Sequence, residues 1–445
     1  MNTTNLFKKQ LYPINPDTNT FFYKITNLLC LLAWAFLELL SFVRYFHEST
    51  DFDTVFWVTA YIKLAIQILI VIIAIAKIFY YFKSNPGYSC LSIAALIFGG
   101  ACYIAKNHDA LVSGSLSIIS VSITLFLIIA MYGVSLDNIC RINLITIGPL
   151  YVIRVLLAVT GIFPGQIIEN DDRICNDLGF GNHNAGIIMF LFLTLSATYV
   201  CMKWQMRIRN LLVCLFLVFA VLIYIPTKSR TSTLLIAVVC LTTVFLNLAE
   251  YWQTGICGKV LNFLASILKK FFKWAPSLSA LVTIAGVNAF NLLCGPTQNV
   301  DRAWSFFTNH ITTRFAQFAK DCALNNITLP YAFYDSDTSQ PAFNYIYGSA
   351  TKTHYNDNLY HHLFINYGLI FVVFFIVILQ LLASYAYRSG HTALLMIIGI
   401  ISLFNILENH GCLYTFDPFI IMPFTLIRAL NPGSKDCHKT DSNPE

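Results

Sequence analysis

Residues 347–370 read YGSATKTHYNDNLYHHLFINYGLI, a polar run rich in His and Asn that passes without a break into an apolar segment. This is how a chain reads where it leaves water for a bilayer, because polar side chains lose their hydration there and apolar ones do not. The run also holds the chain's densest cluster of groups able to do chemistry: His354, Asn356, Asp357, Asn358, His361 and His362. If the segment from His354 is helical, spacings of three, four and seven place Asp357, Asn358 and His361 on the face of His354. That face could hold an imidazole in one orientation. The plainer reading is a solvated loop entering a membrane helix.

The rest of the chain agrees with a bilayer. Its 445 residues are 57% hydrophobic and 11% charged, with mean hydropathy +0.65, whereas soluble domains carry about 25% charged residues. The fold class is therefore an all-α polytopic membrane protein. The net charge of +6 is modest and no soluble basic domain carries it, so it reads as a topology signal and excludes nucleic acid as a partner. The 13 cysteines are scattered through apolar segments, as at Cys30, Cys102, Cys214 and Cys240, and form no CxxC pair. They read as small buried hydrophobes, with neither zinc site nor disulfide framework. Residues 1–24 are polar, carry Lys8, Lys9 and Lys24, and lead into an apolar segment without an evident cleavage site, which suits a retained first helix.

A span needs about 20 mainly apolar residues. Twelve segments qualify as candidates: roughly 25–43, 55–81, 88–105, 111–134, 144–162, 185–202, 211–226, 233–249, 277–295, 367–387, 392–407 and 415–430. With a cytoplasmic N-terminus, and with Lys63, Lys77 and Arg428 counted at the nearer ends of their spans, 17 basic residues fall inside and 10 outside, leaving Arg154 within its span, as the positive-inside rule requires. The organisation expected is a cytoplasmic tail at 1–24, nine spans over 25–295, a large external loop at 296–366, three spans over 367–430 and a second cytoplasmic tail at 431–445. The external loop holds Trp304, Phe306, Phe307, Phe315 and many Tyr, a composition that argues for a folded cap. Segments 163–184 and 227–232 lie on the same side. The halves share no repeat of hydropathy or motif, which counts against an inverted-repeat transporter.

Three sets of cations sit where a membrane protein does not place them without cause. Arg154 and Lys63 are deep in their predicted spans, and intramembrane charge is costly enough to mark a cavity or a partner. In YIPTKSRTS (224–232), Pro226 ends one helix and Lys228 and Arg230 precede the next on the outer face. Lipid-facing anchors would account for them equally well.

Taken together, LGFGNHNAG (178–186), TKSRT (227–231), and a long loop with Arg314, Tyr347-Gly348, His354, Asp357-Asn358 and Gly368 resemble the O-antigen ligase and polymerase superfamily in order, spacing and side. Within it the chain is most similar to the Wzy-type capsular and exopolysaccharide repeat-unit polymerases, over about residues 150–430. It departs at His183, where many relatives have proline, and no function is carried onto that residue. The resemblance implies a glycosyltransferase C-like fold in the cytoplasmic membrane. Its active site would lie on the outer face, use no cofactor or metal, and perform inverting transfer from a polyprenyl (undecaprenyl) diphosphate-linked oligosaccharide. It further implies membrane lipid, a chain-length regulator and a flippase as partners.

The chemistry of the matched residues suits that role. Transfer from a sugar diphosphate develops negative charge on the leaving group, and a guanidinium binds phosphate oxygens through two parallel hydrogen bonds. Arg230 and Arg314 match the family's phosphate-binding arginines, with Arg154 and Lys228 as supplements. The acceptor hydroxyl must lose a proton, and His354 is the candidate base, its ring oriented by Asp357 or Asn358. A metal-assisted alternative would use Asp51-Phe52-Asp53 or Asp335-Ser336-Asp337, and Glu408 could bind sugar or pair with an arginine. A ligase of the same superfamily and a transporter without chemistry remain the competing functions.

Overall fold

The computed structural model describes residues 21–47, 53–106, 119–170, 173–181, 183–202, 204–294, 358–408 and 419. Among them the chain is almost wholly helical: α1 (Phe21–His47), α2 (Asp53–Tyr81), α3 (Pro86–Lys106), α4 (Ile119–Ala130), α5 (Leu136–Val159), α6 (His183–Cys201), α7 (Met206–Thr227), α8 (Arg230–Tyr251), α9 (Gly255–Cys294), α10 (Leu359–Arg388) and α11 (Thr392–Leu407). These coincide with eleven of the twelve segments expected from hydropathy. The twelfth, 415–430, falls outside the described residues apart from Phe419, as does the loop at 296–366 up to residue 357. Seven of the described helices are long and apolar enough to cross a membrane, so the chain is an α-helical membrane protein. The sequence did not announce the antiparallel hairpin of β1 (Ile167–Asn170) and β2 (Arg173–Asn176). It follows α5 and marks one end of the bundle, called here the hairpin end.

Two hydrophobic cores organise the helices. One joins α1 to α4 with the start of α5, around Trp34, Ile70, Ala74 and Ile129. The other joins α5 to α11 around α6, whose residues are almost all buried. In the first core α4 ends within the bundle, and a helix end leaves carbonyls without intrahelical partners. Neighbouring side chains supply them. The Tyr88 hydroxyl donates to the Ile129 carbonyl (2.9 Å) and the Tyr23 hydroxyl to that of Gly133 (2.8 Å). Lys77, fully buried, donates to the carbonyls of Ala130 (2.6 Å) and Tyr132 (2.8 Å) and to Asn27 Oδ1 (2.8 Å). Lys77 is thus the cap of a broken helix, placed where an ammonium meets aligned carbonyl dipoles.

In the second core α11 is short. Its 16 residues rise about 24 Å, less than the ~30 Å hydrocarbon thickness. Phe404 meets Phe192 of α6 edge to face at 5.6 Å, and Phe192 lies nine residues, or about 13 Å, in from the start of α6. The end of α11 is therefore recessed by about 10 Å from the mouth of α6. The start of α10 fills the space. Its Tyr360 and Phe375 rings approach to 6.4 Å, although a straight helix would separate those residues by about 22 Å. The helix bends in that interval, which contains Gly368, and its membrane-spanning part begins at Leu369.

Candidate functional site at the hairpin end of the bundle

The turn at 227–230 shows how local sequence sets the site. Pro226 is the last proline before α7 ends, Lys228 takes a left-handed conformation (φ 53°) as its C-cap, and Ser229 is extended (ψ 104°) as the N-cap of α8. Two helix ends then face the same side with a cationic residue on each flank of Ser229. The Ser229 hydroxyl donates to Asn184 Oδ1 at 2.7 Å, and Asn184 sits in the first turn of α6. Two stretches 45 residues apart, GNHN and TKSRT, are thereby joined at the adjacent N-termini of α6 and α8, where amide dipoles favour negative charge. Arg230 is exposed and Lys228 half-buried. Neither makes an ion pair or hydrogen bond through its side chain among the described residues, so both are available to an anion.

Arg154 is turned to the backbone of the hairpin loop. It is 1% exposed, and Nε and Nη2 both donate to the Gly179 carbonyl, at 3.1 and 2.9 Å. The hairpin loop folds back over the end of α5 to meet it. Asp177 Oδ1 accepts from the backbone of Gln166 and Gly179 at 2.7 Å each, and Phe180 stacks on Tyr151 at 5.3 Å. Gly179 has φ +75°, and a Cβ there would collide with the Arg154 guanidinium. A Cβ on Gly186 would come within 2.7 Å of the Phe180 ring. Gly179 and Gly186 of LGFGNHNAG are thus explained by close approach, Gly181 by its left-handed backbone (φ +71°), and Arg154 is the post to which the loop is tied.

The recessed end of α11 forms the second half of the site. Asn358 is buried and extended (φ −83°, ψ 117°), and it is the N-cap of α10: its Oδ1 accepts from the His361 amide at 3.1 Å. Its Nδ2 donates to the Ile406 carbonyl (2.9 Å) and to Thr283 Oγ1 of α9 (3.4 Å). The helix therefore starts at Leu359, and the extended backbone at Asn358 does not continue it; the expected face that begins at His354 lies outside the described residues. His361 is buried in the first turn of α10, and Glu408, 3% exposed, is the C-cap of α11. Beside Ile406, Asn405 is fully buried with both ends of its side-chain amide unpaired among the described residues, and the hydroxyls of Ser232 and Ser279 are in the same condition. Such groups cost about 1–3 kcal/mol each when left unmet, so this end of the bundle is built to receive polar company.

Of the residues expected to act, Arg154, Lys228, Arg230, Asn358 and Glu408 are placed as above, and Lys63 lies half-buried in α2. His354, Asp357 and Arg314 lie outside the described residues, as do Asp51 and the Asp335–Asp337 pair. Sequence reasoning passed over Lys77, near enough to a helix end to read as an interfacial lysine, and Glu38, buried in α1 with Oε2 3.1 Å from Thr146 Oγ1. An acidic residue seventeen positions into an apolar helix is the signal that could have found Glu38. No family model, no curated protein and no solved structure matches the chain.

Proposed function

We propose that the chain is a polysaccharide polymerase of the cytoplasmic membrane, joining polyprenyl diphosphate-linked oligosaccharide repeat units on the outer face. In this reading about twelve helices span the bilayer, the hairpin end faces outward and the segment at 296–366 lies over it. The observation that carries the reading is the Ser229–Asn184 hydrogen bond, which brings together two of the three stretches that resemble the polymerases and leaves Arg230 unengaged beside them.

In the reaction the acceptor hydroxyl attacks the anomeric carbon from the face opposite the diphosphate. A new carbon–oxygen bond forms as the bond to the diphosphate breaks, its electron pair leaving with the phosphate. Arg230, Arg314 and Lys228 bind the developing charge, and this countercharge replaces the one a metal would otherwise supply. His354 takes the hydroxyl proton. Orienting the imidazole needs an acceptor for its ring N–H; Asn358 Oδ1 already accepts from the His361 amide, so the role falls to Asp357. Arg154 contributes by holding the loop that carries Asn184.

The test is the purified protein in vesicles, supplied with the lipid-linked oligosaccharide from its own cells, in the presence of a divalent-ion chelator. A ladder of repeat multiples on a gel is expected. Loss of the ladder in chelator with recovery in Mg²⁺ would overturn the metal-free mechanism. Transfer of glycan to a different acceptor would favour the ligase, and movement of donor across the bilayer with no new glycosidic bond would favour a transporter.

A further inference from the structure

Helix α9 is 40 residues long, about 60 Å at 1.5 Å per residue, twice the thickness of a bilayer's hydrocarbon. Its first half cannot share the membrane with its second as one upright span. The surface of that first half is divided into three faces. Ile256, Val260, Phe263, Ile267, Phe271 and Trp274 recur at intervals of three and four and form one exposed apolar stripe, Ile256 at 83% and Phe263 at 65%. On the side of the helix away from the stripe, about 150° round at 100° per residue, Ala265 and Phe272 are buried in the larger core. Between these two faces, on one flank of the stripe, lie Lys259, Lys269, Lys270 and Lys273.

No acidic residue occurs between 255 and 294. Lys259, Lys269 and Lys270 make no ion pair among the described residues, and Lys273 lies 4.9 Å over the Trp274 ring and 5.2 Å over that of Tyr387. Trp252 and Tyr251, both exposed just before the helix, add the aromatic side chains favoured at a headgroup layer. Pro276 ends this half, and proline removes a backbone hydrogen bond where a helix can change direction.

We infer that residues 255–275 form an interfacial helix lying in the headgroup plane, with the stripe in the acyl chains and the lysines on the phosphates of anionic phospholipid. A purely apolar partner would need the stripe but not a lysine flank free of acids. An acidic lipid surface uses both, because burial of the stripe and attraction of the lysines act on the same face. The inference is independent of the polymerase reading, since it concerns the end of the bundle opposite the hairpin.

The experiment places full-length protein in nanodiscs containing a fixed fraction of brominated phosphatidylglycerol or brominated phosphatidylcholine, and reads the tryptophan quenching that disappears in Trp274→Phe. Bromines near the headgroup should quench Trp274 more than bromines at the chain ends, and the phosphatidylglycerol probe several-fold more than the phosphatidylcholine probe. The Lys259→Gln, Lys269→Gln, Lys270→Gln triple variant should erase the headgroup preference, at about fivefold in local lipid enrichment per lysine. In the unaltered protein 1 M salt should erase it too, since the Debye length falls to about 3 Å. Equal quenching by the two lipids would overturn the headgroup assignment. Strong quenching by deep bromines would overturn the interfacial placement, and no quenching by either would mean that protein covers the stripe.

Discussion

The side-chain amide of Asn358 donates to the backbone carbonyl of Ile406 at 2.9 Å, so that one residue closes the N-terminus of α10 and the C-terminus of α11 together. At membrane depth no water is at hand to satisfy these groups, and irregular backbone survives only where protein or a cavity lining satisfies it. The recess at the hairpin end depends on this closure.

Asn358→Ala should therefore destabilise by about 2–4 kcal/mol, the sum of a lost cap and an orphaned carbonyl. Asn358→Asp keeps the cap but replaces the donor with a charge facing the negative end of α11, and should be at least as harmful. Asn358→Ser restores only the cap and should fall between Ala and the native residue. Thermal unfolding in detergent, followed by gel filtration, orders the three variants; an Asp variant as stable as the native protein would contradict the account.

Gly179→Ala meets two obstacles, a backbone at φ +75° and the Arg154 guanidinium, and should cost about 3 kcal/mol or more. The sign of a double substitution is informative. Arg154→Ala alone should destabilise by releasing the loop, yet in the Gly179→Ala background it removes the collision, so the pair should be less than additive by about 1 kcal/mol or more. Full additivity in a thermal-shift measurement would separate the two residues.

Lys77→Met should cost about 3–5 kcal/mol, because the carbonyls of Ala130 and Tyr132 would lose their ammonium donor in an apolar core, where the weak Cys30 thiol also donates to Ala130. Lys77→Arg should fare little better: three acceptors surround a point-like ammonium, and the planar guanidinium is larger and aims its donors differently. Expression yield and melting temperature in detergent measure both; a fully stable Arg variant would show that charge alone suffices.

Arg230 gives the opposite test. It is exposed, and its side chain makes no hydrogen bond or ion pair among the described residues, so Arg230→Lys should insert and fold normally. If its guanidinium grips two diphosphate oxygens at once, the lysine should lower the polymerisation rate by about two to three decades. His354→Ala should lower it by about two to four decades. Polymer length on gels from cells at matched protein levels is the readout, with single repeat units accumulating. A normal ladder from Arg230→Lys would remove the diphosphate role.

The helices were legible because burial in lipid selects composition over any run of about 20 residues; eleven described helices overlap the expected segments, and seven of them are long and apolar enough to cross a membrane. The first half of α9 was not, since Lys259, Lys269, Lys270 and Lys273 lower the averaged hydropathy while the apolar residues between them keep helical spacing. Asn358 could be read as a cap from its place before a helix, but its acceptor on α11 depends on a bend in α10 that no local pattern encodes. Arg154 was found because charge in an apolar run is conspicuous. That it meets Gly179 follows from a hairpin of two four-residue strands, too short to leave a periodic signal.

The division into two cores also orders the birth of the molecule. Every residue of the first core lies between Tyr23 and Ile139, so that unit can close, with Lys77 seated on the end of α4, while the ribosome is still translating α6. The second core waits for Leu395 to Phe404 and for Phe419, and Asn358 meets Ile406 only after α11 has been made. Translation thus finishes the scaffold early and leaves the recess open until nearly the whole chain has emerged. A nascent chain arrested after α8 should already protect Cys30 from thiol reagents, whereas Cys240 should gain protection only once α11 is inserted.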